Sequence, residues 1–269
     1  MTVKIGFYGS GNMAQSIIQG LLAKEVYPKE AVVVYNRRYA PTLQKTVETY
    51  GVTAVLDEKA FFESVDIVIF AVKPQVLRTL YANIKPFLTP KHCLVSLAAG
   101  ITLAEFESNL GDYSCIRAMP NTPLAVLEGS IALTRNQFVS EEQFTTILNL
   151  FNQVGTAKEL PENLFDAFIG VSGSAPAYVY LFIEALADGA VLEGMPREMA
   201  YEFAAQTVLG SAKMVLETKE HPGVLKDKVC SPGGTTIEAV KALEDNHFRS
   251  TVMQAVQAAA GKSRKMNEA

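Results

Sequence analysis

The sequence predicts a two-part chain: an α/β N-terminal part on a mostly parallel sheet, then an all-α C-terminal part. Three observations lead there. Short apolar runs alternate with helical patterns up to Leu160; those runs are apolar at consecutive positions; and no strand pattern returns after Pro161. Strands apolar at every position belong to a sheet covered on both faces, as in parallel sheets joined by helical crossovers. The expected parts are 1–162 and 163–269, with no low-complexity linker or repeat between them.

Val3 to Tyr8 is the first strand, ending in glycines, and a helical pattern follows from Asn12 to Lys24. Ala31 to Tyr35 ("AVVVY") is the second strand; a helix over Ala40 to Tyr50 and a weak strand at Val52 to Leu56 come next. "DIVIFA" (66–71), "HCLVSL" (92–97) and "YSCIRAM" (113–119) are further buried strands, and Pro74 opens a helix. Strands at Gly129 to Thr134 and Thr156 to Leu160 flank a helix over Glu141 to Gln153. In the second part, Ser174-Ala175-Pro176 reads as a helix start and Gly194 with Pro196 as its end. Arg197 to Thr218, Thr236 to Glu244 and Phe248 to Lys265 are the remaining helices.

Composition narrows the function. The 269 residues are 49% hydrophobic and 19% charged, ordinary for a globular protein. A net charge of −4, with only a short basic end at Lys262 to Lys265, speaks against a nucleic-acid partner. The N-terminus lacks a signal-peptide pattern, since Lys4 alone is basic and glycines interrupt the apolar run. Three widely spaced cysteines imply reduced thiols and a cytoplasmic setting, and the three scattered histidines show no metal-ligand spacing. The longest apolar stretch, Ala175 to Leu192, carries Glu184 and Asp188, so no membrane span is expected. It is apolar nearly all round. It is either a central core helix or, the preferred reading, one buried by dimerisation.

"GSGNMA" (9–14) is a G-x-G-x-x-A between a strand and a helix. In a Rossmann-type fold Gly9 permits the tight turn, Gly11 lets a diphosphate approach the backbone, and Ala14 keeps helix and strand close. The helix start, with Ser10, Asn12 and Met13, then offers N–H groups to the anion. After the second strand an NAD site wants a carboxylate for the ribose, but here stand Asn36, Arg37 and Arg38, from 27 residues after Gly9. A guanidinium pairs with a 2′-phosphate through two hydrogen bonds, so NADP(H) is preferred and NAD(H) remains possible. Ala71-Val72-Lys73-Pro74 ends the fourth strand, where ligands sit near a switch in strand order. At the ends of the next two strands, the small Ala98, Ala99 and Gly100 leave room for a nicotinamide ring, and Met119, Pro120 and Asn121 line the same edge.

A second loop, Ser231-Pro232-Gly233-Gly234-Thr235-Thr236, precedes a helix. Its N–H groups and hydroxyls suit a small carboxylate without any arginine or lysine; equally, Thr235 or Thr236 could be a plain N-cap with Glu238 in the first turn.

With "AVKPQ" (71–75), "SLAAG" (96–100), "RAMPNTP" (117–123), "GVSGSAPAYVY" (170–180) and "VCSPGGTTIEAV" (229–240), the chain resembles the pyrroline-5-carboxylate reductases over nearly its whole length. The resemblance implies reduction of 1-pyrroline-5-carboxylate to L-proline, and a Rossmann domain joined to a helical domain that dimerises, with dimers often assembling into decamers. It implies that Tyr8 to Met13 cover the diphosphate, that Asn36 and Arg37 lie at the adenosine ribose, and that Val72, Lys73 and Ala99 lie toward the nicotinamide. It assigns the substrate carboxylate to Ser231 and the N–H groups of Gly234, Thr235 and Thr236, and the ring nitrogen to the catalytic Thr236 hydroxyl. Asp166 falls near a substrate-contacting position of some relatives. Glu58 and Lys228 depart from the family, standing where Asn and Asn or Gln are common.

The chemistry agrees. An imine takes its proton from solvent before hydride arrives, so no strong side-chain acid is needed, and the implicated loops hold no histidine. A β-hydroxy-acid dehydrogenase would want a lysine early in the helical part, but none lies between Pro161 and Leu192. In "GVSGS" (170–174), Ser174 replaces the last glycine of a hydrolase elbow. A non-catalytic NADP(H) sensor would not need the Ser231 to Thr236 loop. Cys230, beside that loop, is expected to be packed rather than reactive.

Overall fold

In the computed structural model, which describes residues 3–23 and 27–267, the apolar runs become eight strands of one sheet. These are β1 (Ile5–Tyr8), β2 (Val32–Tyr35), β3 (Thr53–Val55), β4 (Ile67–Phe70), β5 (Cys93–Ser96), β6 (Ser114–Met119), β7 (Gly129–Arg135) and β8 (Gly155–Glu159). The spatial order is β3-β2-β1-β4-β5-β6-β7-β8, so the order reverses between β1 and β4. Every pair is parallel except β6 and β7, which are antiparallel and joined by a connection that holds a 3-10 turn over Thr122–Val126.

The consecutive apolar positions are explained by two cores. Ile5 and Phe7, Val32 and Val34, and Ile67 and Ile69 face one side of the sheet; Tyr8, Val33, Tyr35, Val68 and Phe70 face the other. The first face is covered by α1 (Asn12–Ala23), α2 (Gln44–Tyr50) and, further along the chain, a helix over Glu141–Phe151. The second is covered by α3 (Glu58–Ser64), α4 (Pro74–Ile84) and α5 (Leu103–Leu110), through Phe61, Phe62, Leu77, Tyr81 and Phe106. Each fully buried phenylalanine or isoleucine contributes about 1.5–3 kcal/mol, so this double-sided packing dominates the stability of the sheet.

The helix over Glu141–Phe151 is α6, opened by a capping box between Ser140 and Gln143. Lys24, the expected last residue of α1, lies outside the described residues. The helix expected over Ala40 to Tyr50 is regular only from Gln44; Tyr39–Leu43 form a wider turn with an extended residue at Ala40. α3 and α5, with Asp57 and Thr102 as N-caps, lie where no helix was expected.

No strand follows Glu159 among the described residues. The helices there are α7 (Phe165–Phe168), α8 (Ala175–Leu192), α9 (Arg197–Thr218), α10 (Pro222–Val229), α11 (Thr235–Asp245) and α12 (Phe248–Asn267). The chain divides into two compact units, one of residues 1–173 with 259–269, the other of residues 174–258. In the second unit α8 and α9 pack through Ala187, Ala200 and Ala204. Ala187 is the single buried residue of α8; Tyr180, Leu181 and Leu192 are exposed. α8 is therefore not a central core helix of this unit.

Candidate active site

In the first unit, the sheet edge where β1 ends carries the cradle. Gly9 has φ +110°, and its N–H donates to the Tyr35 carbonyl at 2.9 Å. A Cβ on Gly9 would stand 2.9 Å from both the Ala71 carbonyl oxygen and Val72 Cγ1. The end of β4 therefore excludes a larger residue. At Gly11, by contrast, a Cβ would meet nothing within 4 Å among the described residues. Gly11 leaves open space at the start of α1, where the first N–H groups lack intrahelical acceptors and the dipole favours an anion. Ala14, wholly buried, seats the helix on the sheet. This arrangement fits a dinucleotide's diphosphate.

Two residues that had no signature in the sequence organise this edge. The Thr42 hydroxyl oxygen accepts from Ser10 Oγ at 3.1 Å and from Asn36 Nδ2 at 3.0 Å, joining the cradle to the end of β2. The Gln15 amide donates to the Ser10 carbonyl at 2.8 Å. Tyr8 donates its hydroxyl to Glu58, the first residue of α3. Burial first, then Glu58, push the Tyr8 phenol far above its ordinary range, so it stays protonated. Arg37 and Arg38 are exposed, and neither enters an ion pair among the described residues.

Val72 and Lys73 follow β4, with Lys73 exposed and its carbonyl accepting from the Val76 and Leu77 N–H groups of α4. Ala99 is exposed, whereas Ala98 is buried and donates its N–H to Ser96 Oγ at 3.2 Å. Asn121 is turned inward. Its Nδ2 donates to the Ser172 carbonyl at 3.2 Å, and its Oδ1 accepts from the Ser130 N–H at 2.9 Å. The structure thus gathers Gly9 to Met13, Asn36 to Arg38, Val72, Lys73 and Ala99 along one sheet edge, while Ala98 is buried and Asn121 bonds inward to Ser130 and Ser172. Asp166 accepts from Ser263 Oγ at 2.5 Å.

Arg117 points into the protein. Its Nη1 donates to Glu162 Oε1 at 2.9 Å, and its guanidinium carbon lies 4.6 Å from the centre of the Phe165 ring. Nε and Nη2 are buried without a partner among the described residues. The same Glu162 oxygen accepts from the Leu103 N–H at 3.0 Å, fixing the start of α5 just after "SLAAG".

In the second unit, the Ser231 carbonyl accepts from the Gly234 N–H at 3.0 Å, and Gly233 takes φ +65° with no neighbour within 4 Å of a Cβ. Gly234 is the N-cap of α11, which begins at Thr235, and no side chain caps it. The expectation of a threonine cap is corrected: the helix starts one residue earlier, leaving both hydroxyls inside its first turn. Ser231, Gly233 and Thr235 are exposed and Thr236 is half-buried. Lys228 pairs with Glu220 at 2.5 Å, and Cys230 is half-buried.

Fold and cradle together define a dinucleotide-dependent oxidoreductase of the Rossmann type. Residues 162–266 match the family model for pyrroline-5-carboxylate reductase dimerisation, and residues 4–100 one for NADP oxidoreductase, coenzyme F420-dependent. A pyrroline-5-carboxylate reductase of Escherichia coli (strain K12) is 46% identical over 273 residues, covering 100% of both chains. The chain belongs to the pyrroline-5-carboxylate reductase family. Among solved structures, the enzyme of Coxiella burnetii aligns with a TM-score of 0.92 at 35% identity, covering 99% of each chain. That of Plasmodium falciparum, with NADP bound, aligns at 0.87 and 33%, covering 99% of this chain and 98% of its own.

Proposed function

We propose that the protein reduces 1-pyrroline-5-carboxylate to L-proline, the last step of proline biosynthesis, with NADPH preferred over NADH. It is an oxidoreductase of the CH–NH class, with NADP as acceptor in the formal direction. The carrying observation is identity to a pyrroline-5-carboxylate reductase at 46% across the whole of both chains. The open cradle at Gly11 and the uncapped start of α11 support it.

A bound nicotinamide supplies the hydride that adds to the imine carbon. The chain's own residues position. The cradle Gly9 to Met13 holds the diphosphate through the N–H groups that follow Gly9, Asn36 holds the ribose, and Arg37 and Arg38 pair with the 2′-phosphate. Val72, Lys73 and Ala99 border the nicotinamide end. Ser231 and the N–H groups of Gly234, Thr235 and Thr236 take the substrate carboxylate, with Gly233 shaping the loop. The Thr236 hydroxyl hydrogen-bonds the ring nitrogen, which has taken its proton from solvent. Catalysis here is orientation, which accounts for a site without a general acid.

The region 163–269 acts as the substrate and dimerisation part, in a cytoplasmic enzyme. The helical stretch Glu162–Leu192 is long and apolar enough to cross a bilayer, and 6% of its most apolar window is buried. We read it as covered by a second copy rather than by lipid, which the match to a dimerisation family model there supports. The assembly is a homodimer, with a decamer of five dimers as the larger form.

The test follows NADPH oxidation with pyrroline-5-carboxylate, alongside NADH and an acyclic keto-acid. Turnover with pyrroline-5-carboxylate and faster use of NADPH is expected. Turnover with the keto-acid alone, or with no substrate, would overturn the assignment.

A further inference from the structure

The ends of β1, β2 and β3 lie abreast, with Tyr8 paired to Tyr35 and Tyr35 to Val55. Just beyond them stand the cradle, Asn36 to Arg38, and Leu56 to Glu58. Opposite charges therefore reach one edge of the sheet, arginines from the turn after β2 and the carboxylates of Asp57 and Glu58 after β3.

Glu58 is held there. The Tyr8 hydroxyl donates to it, and the Tyr8 ring is fixed against Tyr35 at 4.7 Å, Phe70 at 5.8 Å and Phe61 at 5.9 Å between centroids. Its backbone is fixed as well, since Asp57 caps α3 by accepting from the Ala60 N–H at 2.7 Å. The Tyr35 phenol senses both charges: burial raises its pKa most, Glu58 raises it further, and Arg37 opposes them. A carboxylate at the adenosine end of such an edge accepts from ribose hydroxyls and repels a 2′-phosphate. Guanidinium groups do the reverse.

We propose that Glu58, anchored by Tyr8, is a specificity-determining residue for the dinucleotide. Its carboxylate supports the unphosphorylated ribose of NAD(H) and opposes the 2′-phosphate of NADP(H). Arg37 and Arg38 set the preference for NADP(H); Glu58 limits it, so that the chain accepts both. This rests on the dinucleotide reading of the cradle.

The experiment is equilibrium binding by calorimetry. NADP+ and NAD+ are each titrated into the full-length wild-type protein and into Glu58→Gln and Glu58→Ala. Gln keeps an oxygen for the Tyr8 hydroxyl and removes only the charge; Ala removes both. The ratio of the NAD+ to the NADP+ dissociation constant is expected to rise about five-fold or more in each variant. That factor corresponds to ~1 kcal/mol, the energy of a unit-charge pair near contact in water. A ratio equal to that of the wild type in both variants would overturn the role of Glu58 while leaving the cradle intact. A wild-type protein that binds neither nucleotide would overturn the cradle and this inference together.

Discussion

Replacing Glu162 with Ala tests how the sheet is joined to the segment that follows β8. Arg117 is 2% exposed, and its one ion pair among the described residues is with Glu162, whose side chain is 30% exposed. Nε and Nη2 have no partner among the described residues, so after the substitution a buried guanidinium keeps, of these contacts, the face of Phe165. Removing one partner of a buried pair costs about 3–5 kcal/mol, and partial access of water to Glu162 places this case near the lower end, ~3 kcal/mol. For a chain of this size that lowers Tm by about 6–9 °C, at roughly 2–3 °C per kcal/mol. Thermal and urea unfolding at one fixed protein concentration measure it, because an oligomer's stability depends on concentration. Arg117→Met combined with Glu162→Ala should recover the part of the loss that comes from the stranded charge, while the Leu103 N–H still lacks its acceptor. If Glu162→Ala alone costs less than about 1 kcal/mol, as an exposed pair would, the guanidinium does not depend on Glu162 and the reasoning fails.

The two cradle glycines should separate fold from binding. Gly11→Ala, with open space around its Cβ, should unfold like the wild type yet bind NADPH at least about ten-fold more weakly, whereas Gly9→Ala should lose stability as well. Calorimetry and melting curves check both. Thr236→Ala should lower kcat/KM about ten-fold, the worth of one hydrogen bond of ~1–2 kcal/mol, in steady-state assays. His92 accepts from the Thr89 N–H at Nδ1 and meets the Phe62 carbonyl at Nε2, which suits the neutral ring, and burial lowers its pKa below the ordinary 6.5. The unfolded chain therefore takes up the proton first. Stability contributed above pH 6.5 is lost as pH falls below it, and His92→Gln should flatten that limb of a urea-midpoint profile against pH. Leu181→Asp, on the exposed face of α8, should shift the protein toward monomer in light scattering after size exclusion.

The sheet was legible because each inner strand is apolar on both faces; Ile5 and Phe7 enter one core and Tyr8 the other. The antiparallel turn at β6–β7 was not, since a buried run reads alike in either direction. α3, α5 and α10 escaped notice because each is only seven or eight residues long. α10 moreover opens on a histidine cap, outside the usual capping residues. Within the candidate site, local patterns marked the glycines and the threonines of "SPGGTT". What they could not mark were partners distant in sequence. Thr42 meets Ser10 across 32 positions, Glu58 meets Tyr8 across 50, and Glu162 meets Arg117 across 45. The inward turn of Asn121 was hidden likewise, because it depends on Ser172, 51 positions away.

The central claim is hydride transfer to a ring imine, and the product reports it most directly. The protein is incubated with pyrroline-5-carboxylate and NADPH carrying deuterium at the transferable position, and proline is measured by mass spectrometry. Proline equal in amount to the NADPH consumed, with one deuterium at ring carbon 5, is the result expected. NADPH consumed without labelled proline, or proline absent under all conditions, would contradict it.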